Sequence, residues 1–209
     1  MSAAIAGKVG ELVALDITPE MLVQTGKLAE EKGIKNLSYC LADARNLPFQ
    51  TNTFDVVSCR IAIHHIDDAD KAVFQMGNVL KKTGRLFIQD ILGIYNDQAR
   101  SYMDNIEKLR DPSHIKNYNR KEWNNFLVEG ALKIIHSEIV SGVYDLDEWI
   151  SRSGTPVENV EKIKSLLELM PEAIRKHLKA SYSEGDWHIH MKYILLLVEK
   201  TYPTTHCSG

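Results

Sequence analysis

The sequence predicts an α/β protein built on a doubly wound, mostly parallel sheet. Short apolar runs typical of buried strands alternate with amphipathic stretches of helical period between residues 11 and 91. Polar side chains follow three of these runs directly, at Asp16, Asp43 and His64. Because parallel strands end at one edge of a sheet and ligands bind beyond that edge, we expect these side chains to share one rim.

The composition suits one domain and excludes several classes of protein. The 209 residues are 44% hydrophobic and 25% charged, with a formal net charge of -3. This balance argues against binding of nucleic acid, and no apolar run approaches the roughly 20 residues that span a membrane. Three cysteines without metal-ligand spacing, and a start without a signal-peptide pattern, predict a cytoplasmic protein with free thiols.

The first third of the chain predicts two strands joined by a helix. The run ELVAL, residues 11–15, is a buried strand that ends at Asp16. Thr18 is a helix N-cap followed by proline and an acid, and this helix ends at Gly33. The next strand is expected at residues 37–41, and the segment after it is a loop.

The next elements continue the alternation of strands and helices, and two consecutive helices and an antiparallel strand pair follow them. We expect a strand at 54–58, a helix at 67–82 and a strand at 85–91, followed by helices through 96–110 and from an N-cap at Asn119. Strands at 131–140 and 187–198 would form an antiparallel terminal pair. The domain is expected to span residues 1–200, with a helical, lid-like insertion at 144–183 that shapes an acceptor pocket and a loose tail at 201–209.

The stretch from Asp43 to Asp67 carries the strongest motif, DARNLPFQTNTFDVVSCRIAIHHID. Together with VALD at residues 13–16, it resembles the class I S-adenosylmethionine-dependent methyltransferases, most of all the subgroup with a DAxxLPF…CRxAxHH signature. The resemblance covers about residues 3–200. It implies an enzyme that transfers a methyl group from S-adenosylmethionine to a small-molecule acceptor.

Asp16 is the first candidate residue for binding this cofactor. An acid at the tip of a strand can accept two hydrogen bonds from a ribose diol, as dinucleotide folds show. The alternative is a solvated acid close to the helix N-cap. The resemblance implies that Ile17 and Met21 contact the ribose and the adenine.

The DARNLPF loop supplies the next candidates. The resemblance implies that the Asp43 side chain bonds the adenine amino group, that the backbone N–H of Ala44 bonds a ring nitrogen and that Leu47 packs on the ring. An acid beside a backbone amide complements the donor and acceptor of adenine. The alternative is an Asx-turn that organises the loop. The backbone of Arg60 and Ile61 would lie along the methionine part.

His64 and His65 are the candidate catalytic residues. A methyltransferase must hold the nucleophile in line with the methyl group, sometimes with a base, and a histidine can be that base near neutral pH. Adjacent histidines cannot face the same way, so we expect one to face the pocket and the other to structure the turn. Each is equally well explained as a structural residue. A metal site is not expected, because no third ligand lies nearby, and Asp90 is expected to border the pocket.

One part of the family pattern, an opening strand with a glycine-rich loop, does not precede VALD. That strand is central in the family, and its apolar side chains contribute on the order of 8–15 kcal/mol. We therefore expect either direct pairing of the flanking strands or completion of the sheet by another segment or by a second chain in a homodimer. This gap also supports an alternative function, a catalytically inactive methyltransferase-like binding or assembly subunit. A nicotinamide-dependent oxidoreductase ranks last because it needs a similar loop.

Overall fold

The computed structural model describes residues 2–183 and 185–201. The expected tail beyond residue 201, with Cys207, lies outside the described residues. The elements in chain order are α1 (Ser2–Ile5), β1 (Leu12–Asp16), α2 (Pro19–Glu31), β2 (Leu37–Leu41), β3 (Phe54–Arg60), α3 (Ala69–Val79), β4 (Leu80–Ile91), α4 (Asp97–Arg110), α5 (Arg120–Glu129), β5 (Leu132–Asp145), α6 (Leu146–Ser151), α7 (Val157–Glu168), α8 (Glu172–Leu178), β6 (Ser181–Ser183) and β7 (Asp186–Lys200), with 3₁₀ turns at Ala6–Lys8 and Ile63–His65.

The strands form two sheets, and the α/β class expected from the sequence is confirmed. β1 and β2 pair in parallel as a two-stranded sheet. The larger sheet has the order β3-β4-β7-β5, with β3 and β4 parallel, β7 antiparallel to both of its neighbours, and β6 added to β7. Within the described residues no ladder joins β1 to β3, so the first of the two alternatives, direct pairing of the flanking strands, is not observed.

The boundary between α3 and β4 differs from the prediction. The helix was expected to continue to residue 82, but it ends at Val79 and the strand begins at Leu80, which pairs with Phe54. Leu80 is fully buried, so the strand conformation places its side chain in the core. A Cβ on Gly84 would lie 2.9 Å from the carbonyl oxygen of Asp55, which explains why glycine follows inside this strand.

Two hydrophobic clusters cover the two faces of the larger sheet. The first lies under α3 and α5, and the second under α4 and the insertion helices α6–α8. Side chains alternate along β7 with the strand period, so Ile194 faces the first cluster and Met191 faces the second. The antiparallel pair is longer than predicted, because β5 and β7 remain paired as far as Asp145 and His188. Among the described residues, no helix is long and apolar enough to cross a bilayer.

Candidate functional site

The carboxyl ends of β1 and β2 form one side of the site. Asp16 is the last residue of β1, and it lies beside Leu41 in the parallel ladder. The backbone N–H of Ala42 donates to the Asp16 carbonyl at 3.0 Å, and Asp43 is the next residue. The two acids therefore follow neighbouring strands at the same edge of the sheet.

Asp16 combines a local structural role with available capacity for a ligand. Its Oδ1 accepts a hydrogen bond of 2.9 Å from the backbone N–H of Thr18, the residue that precedes α2. In the part of the chain that the structure describes, its Oδ2 has no hydrogen-bond partner. Ile17 and Met21 are 61% and 47% exposed, so both apolar side chains are accessible beside the acid.

The Asp43 loop is organised by Arg45. The Asp43 Oδ1 accepts from the backbone N–H of Arg45 at 2.8 Å, and its Oδ2 accepts from the Arg45 Nη2 at 2.7 Å. This guanidinium holds the pKa of Asp43 below its usual value, chiefly by its side-chain hydrogen bond. The Arg45 Nη1 also donates to Asp67, so one guanidinium connects the loop after β2 with the loop after β3. Ala44 and Leu47 pack half-buried against the first hydrophobic cluster.

A strained residue turns the chain at the end of β3. Ile61 has a φ of 51°, in the left-handed region that β-branched residues rarely adopt. Its N–H donates to the Gln89 carbonyl at 2.8 Å, and the Arg60 Nε donates to the Gln89 side chain at 3.1 Å. Backbone strain of this kind clusters at functional sites. The turn directs the chain away from the sheet and into the histidine pair.

His64 points inward and fixes this turn. Its side chain is 5% exposed, and its Nδ1 lies 2.5 Å from the Oδ1 of Asp90 at the end of β4. Asp90, only 1% exposed, also accepts from the backbone N–H groups of Ile63 and Ile91, each at 2.7 Å. The backbone N–H of Ala62 adds a longer contact of 3.4 Å. Four donors thus converge on one buried carboxylate, which ties the histidine turn to the neighbouring strand.

His65 is partly exposed and belongs to a different chain of hydrogen bonds. Its Nδ1 lies 2.9 Å from the Ser113 Oγ, and that hydroxyl lies 2.6 Å from the Asp111 Oδ1. Because the serine has a single hydroxyl proton and the carboxylate can only accept, the Ser113 Oγ accepts from Nδ1–H of His65. The basic nitrogen of His65 is therefore Nε2. Burial, and then the proximity of His64, lowers the pKa of His65, so the imidazole is neutral near pH 7.

Sequence reasoning missed the polar groups that α4 and the following loop bring to these histidines. The rings of His64 and His114 are 5.7 Å apart, and the His114 Nε2 bonds Asp104 at 3.0 Å. Glu107 is buried beside them, and burial raises its pKa although Arg110 lies 3.3 Å away. The available signal was an acid next to Ile106 on the buried face of an amphipathic helix. The described residues contain no group of three or more side chains arranged to hold a metal ion.

Comparison with known proteins connects this geometry to a family. A family model described as a methyltransferase domain matches residues 1–149. The uncharacterized methyltransferase YcgJ of Bacillus subtilis is 31% identical over 160 residues, which are 77% of this chain and 63% of that protein. The uncharacterized protein YafE of Escherichia coli is 31% identical over 160 residues, 76% of this chain and 77% of that one. The sequence match thus spans less than two thirds of the length of YcgJ.

Solved structures show the same fold. The crystal structure of YcgJ superposes with a TM-score of 0.87 at 28% identity, aligning 96% of this chain with 87% of that chain. A putative methyltransferase from Bacillus halodurans superposes with a TM-score of 0.90 at 25% identity, with the same coverage of both chains. The two-sheet arrangement is therefore compatible with a methyltransferase fold over nearly the whole of this chain.

Proposed function

Because this chain belongs to the methyltransferase domain family, we propose that it transfers a methyl group from S-adenosylmethionine to a small-molecule acceptor. The observation that carries the proposal is that Arg45 links the loop after β2 to the loop that follows the histidine pair. Asp43, which follows β2, and Asp67, which follows the histidine pair, bind the same guanidinium. This link supports a site in which residues suited to an adenosine share one edge with a residue suited to proton transfer.

The adenosine side of the proposed site lies on the smaller sheet. The unbonded Oδ2 of Asp16 is available to a ribose hydroxyl, and the exposed side chains of Ile17 and Met21 offer apolar surface beside it. Asp43, the backbone N–H of Ala44 and the Leu47 side chain would receive the adenine. A carboxylate that bonds a ligand hydroxyl contributes about 1.5–3 kcal/mol, which makes Asp16 the most informative position to test.

The methionine part would lie along the backbone of Arg60 and Ile61, where the chain leaves β3. The strained Ile61 holds this backbone in a conformation that an extended strand would not provide. S-adenosylmethionine supplies a methyl group on a positively charged sulfur, which is already a good leaving group. The task of the protein is then to orient the acceptor and, where the acceptor carries a proton, to remove it.

Of the two candidate bases, we assign proton removal to His65 and a positioning role to His64. His65 is partly exposed, and Asp111 and Ser113 fix the tautomer in which its Nε2 accepts a proton. His64 is almost fully buried and bonds Asp90, so it fixes the turn that carries His65. A neutral imidazole with a lowered pKa is in the correct state to accept a proton at neutral pH.

Isothermal titration calorimetry with S-adenosylhomocysteine tests the donor side of the proposal. Asp16→Asn keeps an oxygen that can accept from Thr18 but removes the charge, and it should weaken binding about tenfold. Glu11→Gln changes an exposed acid at the opposite end of β1 and should leave the affinity unchanged. Absence of heat with the unmodified chain at millimolar S-adenosylhomocysteine would refute cofactor binding.

The role of His65 as the base is tested by measuring the rate at which tritium passes from the labelled methyl group of S-adenosylmethionine into a pool of small metabolites. His65→Asn should lower the rate about 10²–10⁴-fold while the affinity for S-adenosylhomocysteine stays the same. Ser113→Ala leaves the imidazole in place but removes the group that fixes its tautomer, so it should give an intermediate loss. Equal rates in His65→Asn and the unmodified chain would remove this residue from the mechanism.

A second candidate function, a binding or assembly subunit, is favoured by the division of the sheet. β1, β2 and β3 each have an edge with no strand partner among the described residues. Unpaired edges are templates for pairing with another chain, so a homodimer would complete the sheet. Sedimentation with hydrogen exchange distinguishes the two functions. A dimer that protects β1 and β3 yet binds no S-adenosylhomocysteine would support assembly, whereas a monomer would exclude the homodimer.

A further inference from the structure

A cavity of about 380 Å³ lies beyond the carboxyl end of β4. None of the candidate site residues described above lines it. Its walls come from the segment 91–95, from α4 and the start of α5, from the end of α8 and from β7. This volume is within the range typical of small-molecule sites, roughly 300–1,000 Å³. The insertion reaches the cavity through the last turn of α8.

The charges around the cavity have one sign, although the chain as a whole is acidic. The formal net charge of the protein is -3. The lining nevertheless includes Arg100, Arg120, Lys179 and Lys192 and no aspartate or glutamate. Two histidines, His177 and His190, add further groups that can donate hydrogen bonds.

Three of these cations have charge to offer a ligand. Arg100 is engaged, because its Nη2 lies 2.6 Å from Asp97 and its Nη1 lies 3.2 Å from Glu122. Arg120, Lys179 and Lys192 are exposed and form no ion pair with any side chain that the structure describes. Cations gathered at one mouth raise the local concentration of anions.

The inner walls of the same cavity are apolar. Ile91 and Met103 come from the second hydrophobic cluster, and Leu178 and Met191 extend that surface. The ligand that complements this lining has an anionic head and an apolar body. A fully hydrated ion would gain nothing from these walls, and a neutral hydrocarbon would leave the cations unused.

The cavity is preformed, and one of its lining residues carries a buried polar atom without a partner among the described residues. Gly93 lies so close to the next loop that a Cβ would be 2.1 Å from the carbonyl oxygen of Asn117, so only glycine permits this approach. Asn117 lines the cavity and is 3% exposed, and its Oδ1 accepts no hydrogen bond from the described residues. A buried acceptor of this kind is costly unless a ligand or water donates to it.

We propose that this cavity binds a small amphipathic anion, whose carboxylate or phosphate head lies among Arg120, Lys179 and Lys192 and whose apolar body lies against Met103 and Met191. The inference deepens the proposed function, on which it rests, because it assigns the chemical class of the methyl acceptor. Binding of the anion itself requires no cofactor, so the two proposals fail separately.

Methionine methyl NMR tests the site directly, because two of its walls carry a methionine. Octanoate and octyl phosphate are titrated separately into protein labelled at the methionine methyl groups, and octan-1-ol is the neutral counterpart. We expect shifts at Met103 and Met191 and none at Met76, which lies in the first hydrophobic cluster. Octan-1-ol should bind at least tenfold more weakly than the better anion. The stronger of the two anions identifies the head group that the site prefers.

Charge reversal supplies the decisive variants. Arg120→Glu with Lys192→Glu should reduce the affinity for the anion at least tenfold. The control, Lys27→Glu with Lys32→Glu, changes the net charge equally at α2 and its C-cap, where neither residue lines the cavity, and should leave the affinity unchanged. Urea midpoints of both double variants establish that they are folded. Equal binding of octan-1-ol and octanoate, unchanged affinity after reversal at the cavity, or shifts spread over all methionines would each overturn the proposal, whatever calorimetry shows for S-adenosylhomocysteine.

Discussion

The smaller sheet and the larger sheet differ in how much apolar surface they bury. In the described residues up to Leu41, the only buried apolar side chains are those of Ala6 and Ala29, while Tyr39 and Leu41 are exposed. In the larger sheet both faces are covered, and residues such as Leu86 and Ile88 are fully buried. Asp16, Ile17 and Met21, which are proposed to bind the ribose side of the adenosine, therefore belong to the part of the molecule with the smaller core, whereas Ala44 and Leu47 pack against the first hydrophobic cluster.

The acidic side chains of the smaller and the larger sheet also differ in burial. Asp16 and Asp43 lie at the surface and are engaged by nearby groups in their own loops. Asp90 and Glu107 are buried. Asp90 bonds His64 of the turn after β3, and Glu107 pairs with Arg110 one turn along α4. Changes in the larger sheet should therefore act first on stability, whereas changes in the smaller sheet should act on ligand binding.

The largest effect on stability is expected when leucine is replaced by alanine in the larger sheet, and the same replacement in the smaller sheet provides the comparison. Leu86→Ala leaves a cavity in a fully buried site and should lower the free energy of unfolding by about 2–5 kcal/mol. Leu15→Ala, at a half-buried position in β1, should cost clearly less. Urea unfolding followed by circular dichroism measures both. Equal losses would show that the smaller sheet carries as much of the stability as the larger one.

A smaller loss of stability is expected at Asp90, the buried acid on which four donors converge. Asp90→Asn removes the charge and turns one acceptor oxygen into a donor, so at least one of Ile63, Ile91 and His64 loses its partner. The free energy of unfolding should fall by about 1–3 kcal/mol. Asp55→Asn is the control, because its carboxylate is exposed on β3 and only pairs with Lys81 at the surface. An unchanged urea midpoint in Asp90→Asn would mean that this buried pair contributes nothing to stability.

The sequence predicted the features that depend on neighbouring residues. Strand tips at Asp16 and Asp43 follow from short apolar runs. The N-cap predicted at Asn119 is confirmed, and the structure adds a capping box with Glu122. The end of α3 was misplaced because KKTGR has the composition of a turn, whereas pairing of Leu80 with Phe54 makes it part of β4. Local composition could not reveal a pairing made at a distance in the chain.

The candidate site likewise depends on contacts between distant residues that local sequence does not reveal. The histidine pair was visible in the sequence, but its partners were not, since Asp90 lies at the end of another strand and Ser113 lies in a loop beyond α4. Which histidine is buried depends on these contacts alone. The division of the sheet was foreseen as a problem, but the absence of pairing between β1 and β3 required the structure.

Substitution of Glu107 should change the free energy of unfolding by an amount that grows with pH. Burial raises its pKa, against the opposing effects of Arg110, His114 and His64, so the folded state holds its proton more tightly than the unfolded state. Stability is therefore lost as pH rises from the unfolded pKa through the folded pKa. Glu107→Gln removes this loss, and its stability relative to the unmodified protein should improve from pH 4 to pH 8 in urea unfolding. A constant difference across that range would contradict the raised pKa.

The smallest effect is expected at Arg45, in the exposed loop of the smaller sheet. Arg45→Ala removes the main cause of the lowered Asp43 pKa, so that pKa should rise toward its ordinary value of about 3.9, as measured by carboxyl-carbon NMR. Arg45→Lys keeps the charge but loses the paired geometry and should give an intermediate value. Because a lowered pKa stabilises the fold above the unfolded pKa, any loss of stability should be present at pH 7 and vanish in acid. A large loss at pH 7 would contradict the contrast between the sheets, since this loop would then support the fold rather than present a ligand site.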